Sequence, residues 1–186
     1  MKNINSNDYW DGVWLEEEGR NAEREYPELF PYVIARIPER SSVVDIGCGT
    51  GFLLERIKKQ KNAQVFGLDI SLSAIKVMKE KRGIDGVATP IPPIPLKDDT
   101  YDVAICTEVL DHLDNDQGAI KEAIRITKPG GLILVTVPNN RWGPEENPEH
   151  MRTYTKESLE KLFKGCRDVK TEAIASYLLL SATKPS

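Results

Sequence analysis

Short apolar segments alternate with longer amphipathic ones through most of the chain. Four of the short segments are rich in valine and isoleucine and bounded by Gly, Pro or Asp, which predicts buried strands over Ser42–Ile46, Gln64–Ile70, Tyr101–Cys106 and Gly131–Val137. The segments between them place apolar residues at helical spacing, which predicts helices over Phe52–Gln60, Leu72–Lys81 and Gln117–Thr127. Strands that alternate with helices indicate a parallel sheet covered on both faces.

The two ends of the chain depart from this alternation. The beginning contains Trp10 and Trp14, followed by an acidic, helix-prone stretch over Leu15–Glu25. The C-terminal part predicts a helix from Lys156 to Lys164 and then two strands, about 168–175 and 177–184. These two strands complete the predicted fold.

Composition narrows the class of protein. The chain has 186 residues, 40% hydrophobic and 29% charged, which is typical of one globular domain over residues 1–186. With 29 acidic and 25 basic residues the net charge is −4, so no broad positive surface and no nucleic-acid partner is expected. The amino terminus is polar, and the longest apolar runs are far below the ~20 residues of a membrane span, so we expect no targeting or membrane segment. The 3 cysteines are widely spaced without a Cys-x-x-Cys pair, which favours a reduced, cytoplasmic setting.

The segment Val43–Gly51 ends a predicted strand in a loop with glycine at every second position, at Gly47, Gly49 and Gly51. Glycine permits positive φ and close approach of the backbone to a ligand, and the helix that follows offers unpaired amides. At the carboxyl end of a parallel strand, such a loop predicts a nucleotide-type site.

Spacing decides which nucleotide this site can hold. The dinucleotide fingerprint requires a third glycine where this chain has Phe52, and no lysine follows as a P-loop requires. The next strand ends in Asp69, 18 residues beyond Gly51. A carboxylate there can accept hydrogen bonds from both hydroxyls of a ribose. The pattern therefore predicts a ribose-containing ligand and excludes both phosphate-binding motifs.

The Asp-x-Gly-x-Gly-x-Gly pattern of residues 45–51 resembles motif I of the class I S-adenosylmethionine-dependent methyltransferases. Residues 98–106 look like the fourth strand of that family, and residues 122–131 resemble the approach to its fifth strand. The similarity is greatest to the small-molecule branch typified by quinone-biosynthesis methyltransferases. It implies an α/β, Rossmann-like, doubly wound fold over residues 41–186, with a mostly parallel seven-stranded sheet, helices on both faces and a C-terminal antiparallel strand.

The same resemblance implies S-adenosyl-L-methionine as the cofactor and S-adenosyl-L-homocysteine as its product. Asp45 would lie near the methionine amino group, Asp69 would bind the ribose, and Ile70 would pack on the adenine. The main chain at Cys106 or Thr107 would accept a hydrogen bond from the methionine ammonium. The full implied cofactor set is Asp45, Gly47, Cys48, Gly49, Gly51, Asp69, Ile70, Ile91, Cys106 and Thr107.

One segment departs from the family pattern. Relatives often have Gly-Asp just before a Leu-Pro-Phe segment, and that acid reaches the adenine amine. This chain instead has Thr89-Pro90 ahead of Ile94-Pro95-Leu96. Adenine recognition would then fall to backbone groups of Ala88 or Ile91.

Acidic and histidine side chains follow the predicted strand that ends at Cys106. Glu108, Asp111 and His112 are spaced i, i+3 and i+4, so in a helix they would share one face. The other of the 2 histidines, His150, lies in a later loop. Glu108, His112 and His150 are therefore candidates for a proton-accepting or substrate-facing role.

The same four side chains allow two further interpretations. They form an acceptable ligand set for a divalent metal, and they resemble the Glu-x-x-Glu-His and later His of small-RNA 3′-terminal 2′-O-methyltransferases. They could also be purely structural. We expect no metal, with Glu108, Asp111, His112 and His150 as the alternative metal ligands.

The tryptophans near the amino terminus, Trp10 and Trp14, lie on one face if their segment is helical, with Tyr9 beside them. Such a pair is either part of a core or a lid over the cofactor, because the segment before the first strand commonly covers the site in this fold. Residues 1–40 are accordingly expected to form an N-terminal helical lid.

The sequence thus predicts a methyltransferase that acts on a small-molecule acceptor by direct in-line displacement. Two alternatives stay open: a methyltransferase of an RNA 3′ end or a protein side chain, and a non-catalytic S-adenosylmethionine-binding module. Acceptor choice would rest on residues 9–30, on the face that bears Glu108 and His112, and on the loop from Asn139 to Thr153, which contains Arg141, Trp142, His150 and Arg152.

Overall fold

The computed structural model describes residues 6–17, 26–141 and 143–186. The strands are β1 (Ser42–Ile46), β2 (Gln64–Asp69), β3 (Asp85–Ala88), β4 (Tyr101–Thr107), β5 (Thr127–Pro138), β6 (Arg167–Ile174) and β7 (Tyr177–Thr183). The helices are α1 (Asn7–Glu17), α2 (Phe30–Arg36), α3 (Phe52–Lys61), α4 (Leu72–Arg82), α5 (Asp116–Ile126) and α6 (Lys156–Lys161). Residues 18–25 of the predicted acidic helix, and Trp142, lie outside the described residues.

All seven strands form one sheet in the order β3-β2-β1-β4-β5-β7-β6. The first five in this order are parallel, whereas β7 runs antiparallel to both of its neighbours. This confirms the predicted mostly parallel sheet with its antiparallel C-terminal strand. Because β1 lies between β2 and β4, the strand order reverses there, and a crevice opens at the carboxyl ends of these strands.

Helices cover both faces of the sheet, as predicted. Alternate residues of a strand point to opposite faces, so Val44 packs with α5 and α6 while Val43 packs with α2, α3 and α4. On the α5 side the core includes Ile120 and Phe163, and on the α3 side it includes Leu54. Within the described part of the chain, every helix is too short or too polar to cross a membrane.

Two elements differ from the sequence prediction. The strand β3 was not predicted, because it has four residues and includes Gly86. A Cβ atom on Gly86 would lie 2.5 Å from the carbonyl oxygen of Gly67, so the two strands can approach only through glycine. The strand β5 begins at Thr127 instead of Gly131, and its register against β4 shifts between Tyr101 and Val103. The Pro-Gly-Gly run is therefore part of a bulge, not of a turn before the strand.

Candidate active site

The carboxyl ends of β1, β2 and β4 form the wall of a cavity of about 170 Å³. Asp69 is the last residue of β2 and Thr107 the last residue of β4. Seven of the residues predicted to bind the cofactor line this cavity: Asp45, Gly47, Cys48, Asp69, Ile70, Ile91 and Thr107. The other three lie outside its lining: Gly49 against Trp14, Gly51 against Met78, and Cys106 in the hydrophobic core.

The glycine loop requires its glycines for two separate reasons. Gly47 and Gly49 have φ values of +80° and +52°, which other residues rarely adopt. A Cβ atom on Gly47 would lie 2.2 Å from the side chain of Val109, and one on Gly49 would lie 2.6 Å from the ring of Trp14. Backbone conformation and close packing therefore select glycine at both positions.

Asp69 holds the glycine loop against the end of β2. Its Oδ2 accepts a hydrogen bond from the amide of Gly49 at 2.8 Å, and its Oδ1 accepts one from the amide of Ser71 at 2.9 Å. Burial raises the pKa of Asp69 to about 6, although these amide hydrogen bonds oppose the shift. The carboxylate is therefore mostly ionised at neutral pH, and each oxygen keeps a lone pair for a further donor.

Asp45 is a buried carboxyl group that faces the same cavity and is 1% exposed. Its Oδ1 has no hydrogen-bond partner among the described residues. Burial, and then the negative charge of Asp69, raise the pKa of Asp45 to about 8. Leaving a buried acceptor unpaired is costly, so this oxygen suits a ligand that brings a cationic donor.

A second cavity, of about 370 Å³, adjoins the first, and both are lined by Tyr26, Glu108 and His112. The second cavity contains all three candidate catalytic side chains, since His150 also lines it. Its described lining is Tyr26, Glu108, Asp111, His112, Pro138, Glu146, Asn147, Glu149, His150 and Tyr177. We call it the acceptor cavity below.

The chain after β4 is not the helix that the i, i+3, i+4 spacing assumed. Glu108 has a φ of +55°, and only a short 3₁₀ turn, Leu110–His112, follows it. The hydroxyl of Thr136 on β5 donates a hydrogen bond of 2.8 Å to Oε1 of Glu108. Glu108 therefore reaches the cavities from a strand end and does not share a helical face with Asp111. Burial and the nearby Asp111 raise the pKa of Glu108 to about 8.

Three of the four side chains in the alternative metal set do converge. The ligand atoms of Asp111, His112 and His150 all lie within 4.8 Å of one another, and Glu108 is not part of this group. Oδ2 of Asp111 lies 3.3 Å from Nε2 of His150 and 3.7 Å from Nε2 of His112. Nδ1 of His112 lies 2.8 Å from the carbonyl oxygen of Glu149, so this nitrogen carries a proton and donates it. Whether this group binds a metal stays a prediction.

The helix α1 lines the first cavity through Trp10 and Trp14 and contacts lining residues of the acceptor cavity. Trp14 packs on Gly49 of the glycine loop, and Trp10 meets the His112 ring edge-on at a centroid distance of 5.2 Å. The hydroxyl of Tyr9 donates a hydrogen bond to the carboxylate of Glu149. Asp11 accepts hydrogen bonds from the hydroxyl of Ser71 at 2.5 Å and the amide of Ser73 at 2.9 Å, which joins α1 to the start of α4. Trp10 and Trp14 therefore line the first cavity, Tyr9 contacts the acceptor-cavity residue Glu149, and the role of α1 as a lid stays a prediction.

Several lining residues escaped the sequence analysis. Thr50, Phe52 and Leu53 directly follow the glycine loop, and this adjacency was the signal that could have found them. Tyr26 and Phe30 belong to residues 9–30, which were predicted to shape acceptor choice, but the sequence pattern did not indicate which residues of that segment face the site. Of the charged residues predicted to shape acceptor choice in the later loop, Arg141 is exposed and Arg152 pairs with Asp116 at 2.7 Å, so neither lines a cavity.

Comparison with known proteins identifies the family to which the chain belongs. The sequence profile of a family described as a methyltransferase domain matches residues 18–166. The chain belongs to this family, the class I S-adenosylmethionine-dependent methyltransferases. S-adenosylmethionine is the cofactor of the family.

Among curated relatives, a tRNA (carboxymethyluridine(34)-5-O)-methyltransferase of Arabidopsis thaliana is 31% identical over 120 residues, which are 63% of this chain and 28% of that protein. A ubiquinone biosynthesis O-methyltransferase of Rhodopseudomonas palustris is 33% identical over 105 residues, 54% of this chain and 41% of that protein. The chain thus spans less than half the length of these two methyltransferases.

Solved structures show the same fold. A methyltransferase in complex with the Haloferax volcanii Trm112 activator aligns with a TM-score of 0.84 at 19% identity, covering 95% of this chain and 98% of that one. A Haemonchus contortus phosphoethanolamine N-methyltransferase bound to S-adenosylhomocysteine aligns with a TM-score of 0.78 at 14% identity. The alignment covers 96% of this chain and 58% of that one. At these identities the alignments support the fold alone.

Proposed function

We propose that the chain binds S-adenosylmethionine in the first cavity and transfers its methyl group to a small molecule held in the acceptor cavity. The observation that carries this proposal is the shared wall of the two cavities, to which Glu108 and His112 both contribute. Two small adjoining chambers suit a cofactor and a small acceptor.

The residues of the first cavity fit the cofactor. Asp69 offers one free lone pair on each carboxylate oxygen to the ribose hydroxyls, and the unpaired Oδ1 of Asp45 offers an acceptor to the methionine ammonium. Ile70 and Ile91 provide apolar surface for the adenine, and Pro90 lies beside them in place of the acidic residue of relatives. When bound, the cofactor supplies a methyl group that is already activated on a sulfonium.

The chain's own contribution to the reaction is then orientation, exclusion of water and, for a protonated acceptor, removal of a proton. Trp10 and Trp14 of α1 exclude water from above. Glu108, His112 and His150 are the proposed proton acceptors or substrate contacts. Glu108 and His112 both line the two cavities, and the raised pKa of Glu108 suits proton transfer near neutral pH.

The proposal is tested by incubating the protein with labelled S-adenosylmethionine and a panel of metabolites, RNA 3′ ends and peptides. Methyl transfer to small molecules, reduced at least tenfold in Glu108→Gln, is the expected result. Transfer to RNA or peptide alone would contradict the small-molecule acceptor. Cofactor binding without transfer to any member of the panel would instead support a non-catalytic binding module.

Binding of the cofactor is expected to release a proton at pH 7. Asp45 is mostly protonated before binding because its pKa is raised to about 8, and a cationic ammonium beside it lowers that pKa again. Calorimetry in buffers of different ionisation enthalpy should therefore show release of roughly one proton for each molecule bound. The release should disappear in Asp45→Asn. A binding enthalpy that is the same in every buffer would contradict this assignment.

A further inference from the structure

The acceptor cavity has a strongly acidic lining. Four carboxyl groups face it, from Glu108, Asp111, Glu146 and Glu149. Among its described lining residues the basic side chains are the imidazoles of His112 and His150, with no lysine or arginine. Such a chamber favours cations and disfavours carboxylate or phosphate groups.

Asp111 provides a second, independent indication of a cationic ligand. This residue is 1% exposed, and neither of its carboxyl oxygens has a hydrogen-bond partner among the described residues. Nε2 of His150 lies 3.3 Å from Oδ2 but does not form a hydrogen bond with it. A buried carboxyl group without hydrogen bonds is costly, and a donor that enters the cavity would offset this cost.

Aromatic rings favour an organic cation as that donor. Tyr26 and Tyr177 both line the cavity and meet each other edge-on at a centroid distance of 5.8 Å. Ring faces attract ammonium groups, and ring edges accommodate the apolar body that carries them. The volume of about 370 Å³ also exceeds what a single ion needs.

We propose that the acceptor cavity binds a small protonated amine and that the nitrogen of this amine receives the methyl group. This inference rests on the proposed function and names the acceptor class. Asp111 binds the ammonium, and Glu108 lies between the ammonium and the first cavity, held by the hydroxyl of Thr136.

The proton balance of the reaction assigns a task to Glu108. The positive charge of the bound ammonium favours the ionised form of Glu108. The ammonium then transfers one proton to that carboxylate, which leaves a neutral amine with a lone pair. The nitrogen then forms a bond to the methyl carbon while the carbon–sulfur bond breaks, and that electron pair stays on sulfur. The product is again a cation, and because Glu108 now carries the proton, Asp111 and the other carboxylates of the cavity stabilise the positive charge that moves onto nitrogen.

Binding to the full-length protein tests the inference without relying on turnover. Phenethylamine and phenethyl alcohol have the same ring and chain, and their affinities are measured by calorimetry with and without S-adenosylhomocysteine. The amine is expected to bind at least tenfold more tightly than the alcohol. Asp111→Asn should remove most of this preference and leave alcohol binding unchanged. Asp114→Asn, at an exposed position of the same loop, is the matched control and should preserve the preference.

The contrary outcomes are distinct from one another. Equal affinities, no amine binding, or an amine preference that survives in Asp111→Asn would each overturn the inference. The inference would also be overturned if zinc bound to metal-stripped protein through Asp111 and His150 and excluded the amine. Tyramine, which offers a phenol and an amine, should be methylated on nitrogen, and methylation on oxygen would also overturn it. Failure of S-adenosylhomocysteine to bind would count against the proposed function. It would not by itself overturn the amine inference, because amine binding is also measured without S-adenosylhomocysteine.

Discussion

Replacing Asp69 by alanine is expected to lower the affinity for S-adenosylmethionine about 100-fold or more, which corresponds to roughly 3 kcal/mol. The carboxylate has two tasks that alanine cannot perform. It would accept hydrogen bonds from the ribose, and it already holds the amides of Gly49 and Ser71 at 2.8 and 2.9 Å. Its removal therefore loses ligand contacts and also releases the loop that shapes the cavity.

Calorimetry with S-adenosylhomocysteine measures this loss directly. Asp85→Asn is the matched control, since that aspartate lies on the neighbouring strand β3 with a side chain 72% exposed, and its affinity should be unchanged. Urea unfolding separates a local effect from loss of the fold. If Asp69→Ala retains the affinity within about threefold, less than ~1 kcal/mol, the site is wrongly assigned.

Acidity should have the same effect as this substitution. Since the pKa of Asp69 is raised to about 6, lowering the pH through this value protonates the carboxyl group. One acceptor is then lost, and cofactor affinity falls on the acid side of pH 6. We therefore expect both the loop geometry and the binding of the cofactor to depend on Asp69.

Much of this first cavity could be predicted from sequence because its signals are local. The strands β1, β2 and β4 each contain a short apolar run, and most of the candidate site residues lie at the carboxyl ends of these strands or directly after them. The alternating glycines of residues 47–51 also indicate a loop with positive φ values, which the structure has. Parallel pairing then brings the strand ends together without further information from the sequence.

The acceptor cavity could be predicted only in part, because tertiary contacts form it. Glu108 adopts a positive φ that glutamate rarely takes, so the spacing of its neighbours suggested a helix that is absent. The loop that contributes Glu149 and His150 is fixed by a hydrogen bond from the amide of Met151 to the carbonyl of Asp111 at 2.6 Å. Contacts of this kind join residues distant in sequence and leave no periodic pattern.

The start of β5 illustrates the same limit. Proline and two glycines after a helix are a strong turn signal, yet the strand begins before them. Buried Thr127 adopts an extended backbone and ends α5 at Ile126, one residue before the predicted end, while its hydroxyl donates to the carbonyl of Ala123 at 2.6 Å. The bulge against β4 then accommodates the extra residues. Tertiary pairing thus overrides the local signal here.

Loss of the Trp14 ring should weaken cofactor binding about 30-fold, or roughly 2 kcal/mol. The ring lines the first cavity and packs directly on Gly49, so Trp14→Ala would expose both the glycine loop and the bound cofactor to water. Deletion of residues 1–16 should have at least this effect, because it also removes Trp10 and the hydrogen bonds of Asp11 to α4.

A control on the same helix distinguishes a lid from a part of the core. Asp8→Ala changes an exposed residue of α1 and should leave the affinity for S-adenosylhomocysteine unchanged. If α1 is a lid, Trp14→Ala should increase the dissociation rate of the ligand much more than it changes the free energy of unfolding without ligand. If it is core, unfolding should be strongly affected with or without ligand. A folded truncated chain that binds the cofactor as tightly as the full chain would contradict the lid.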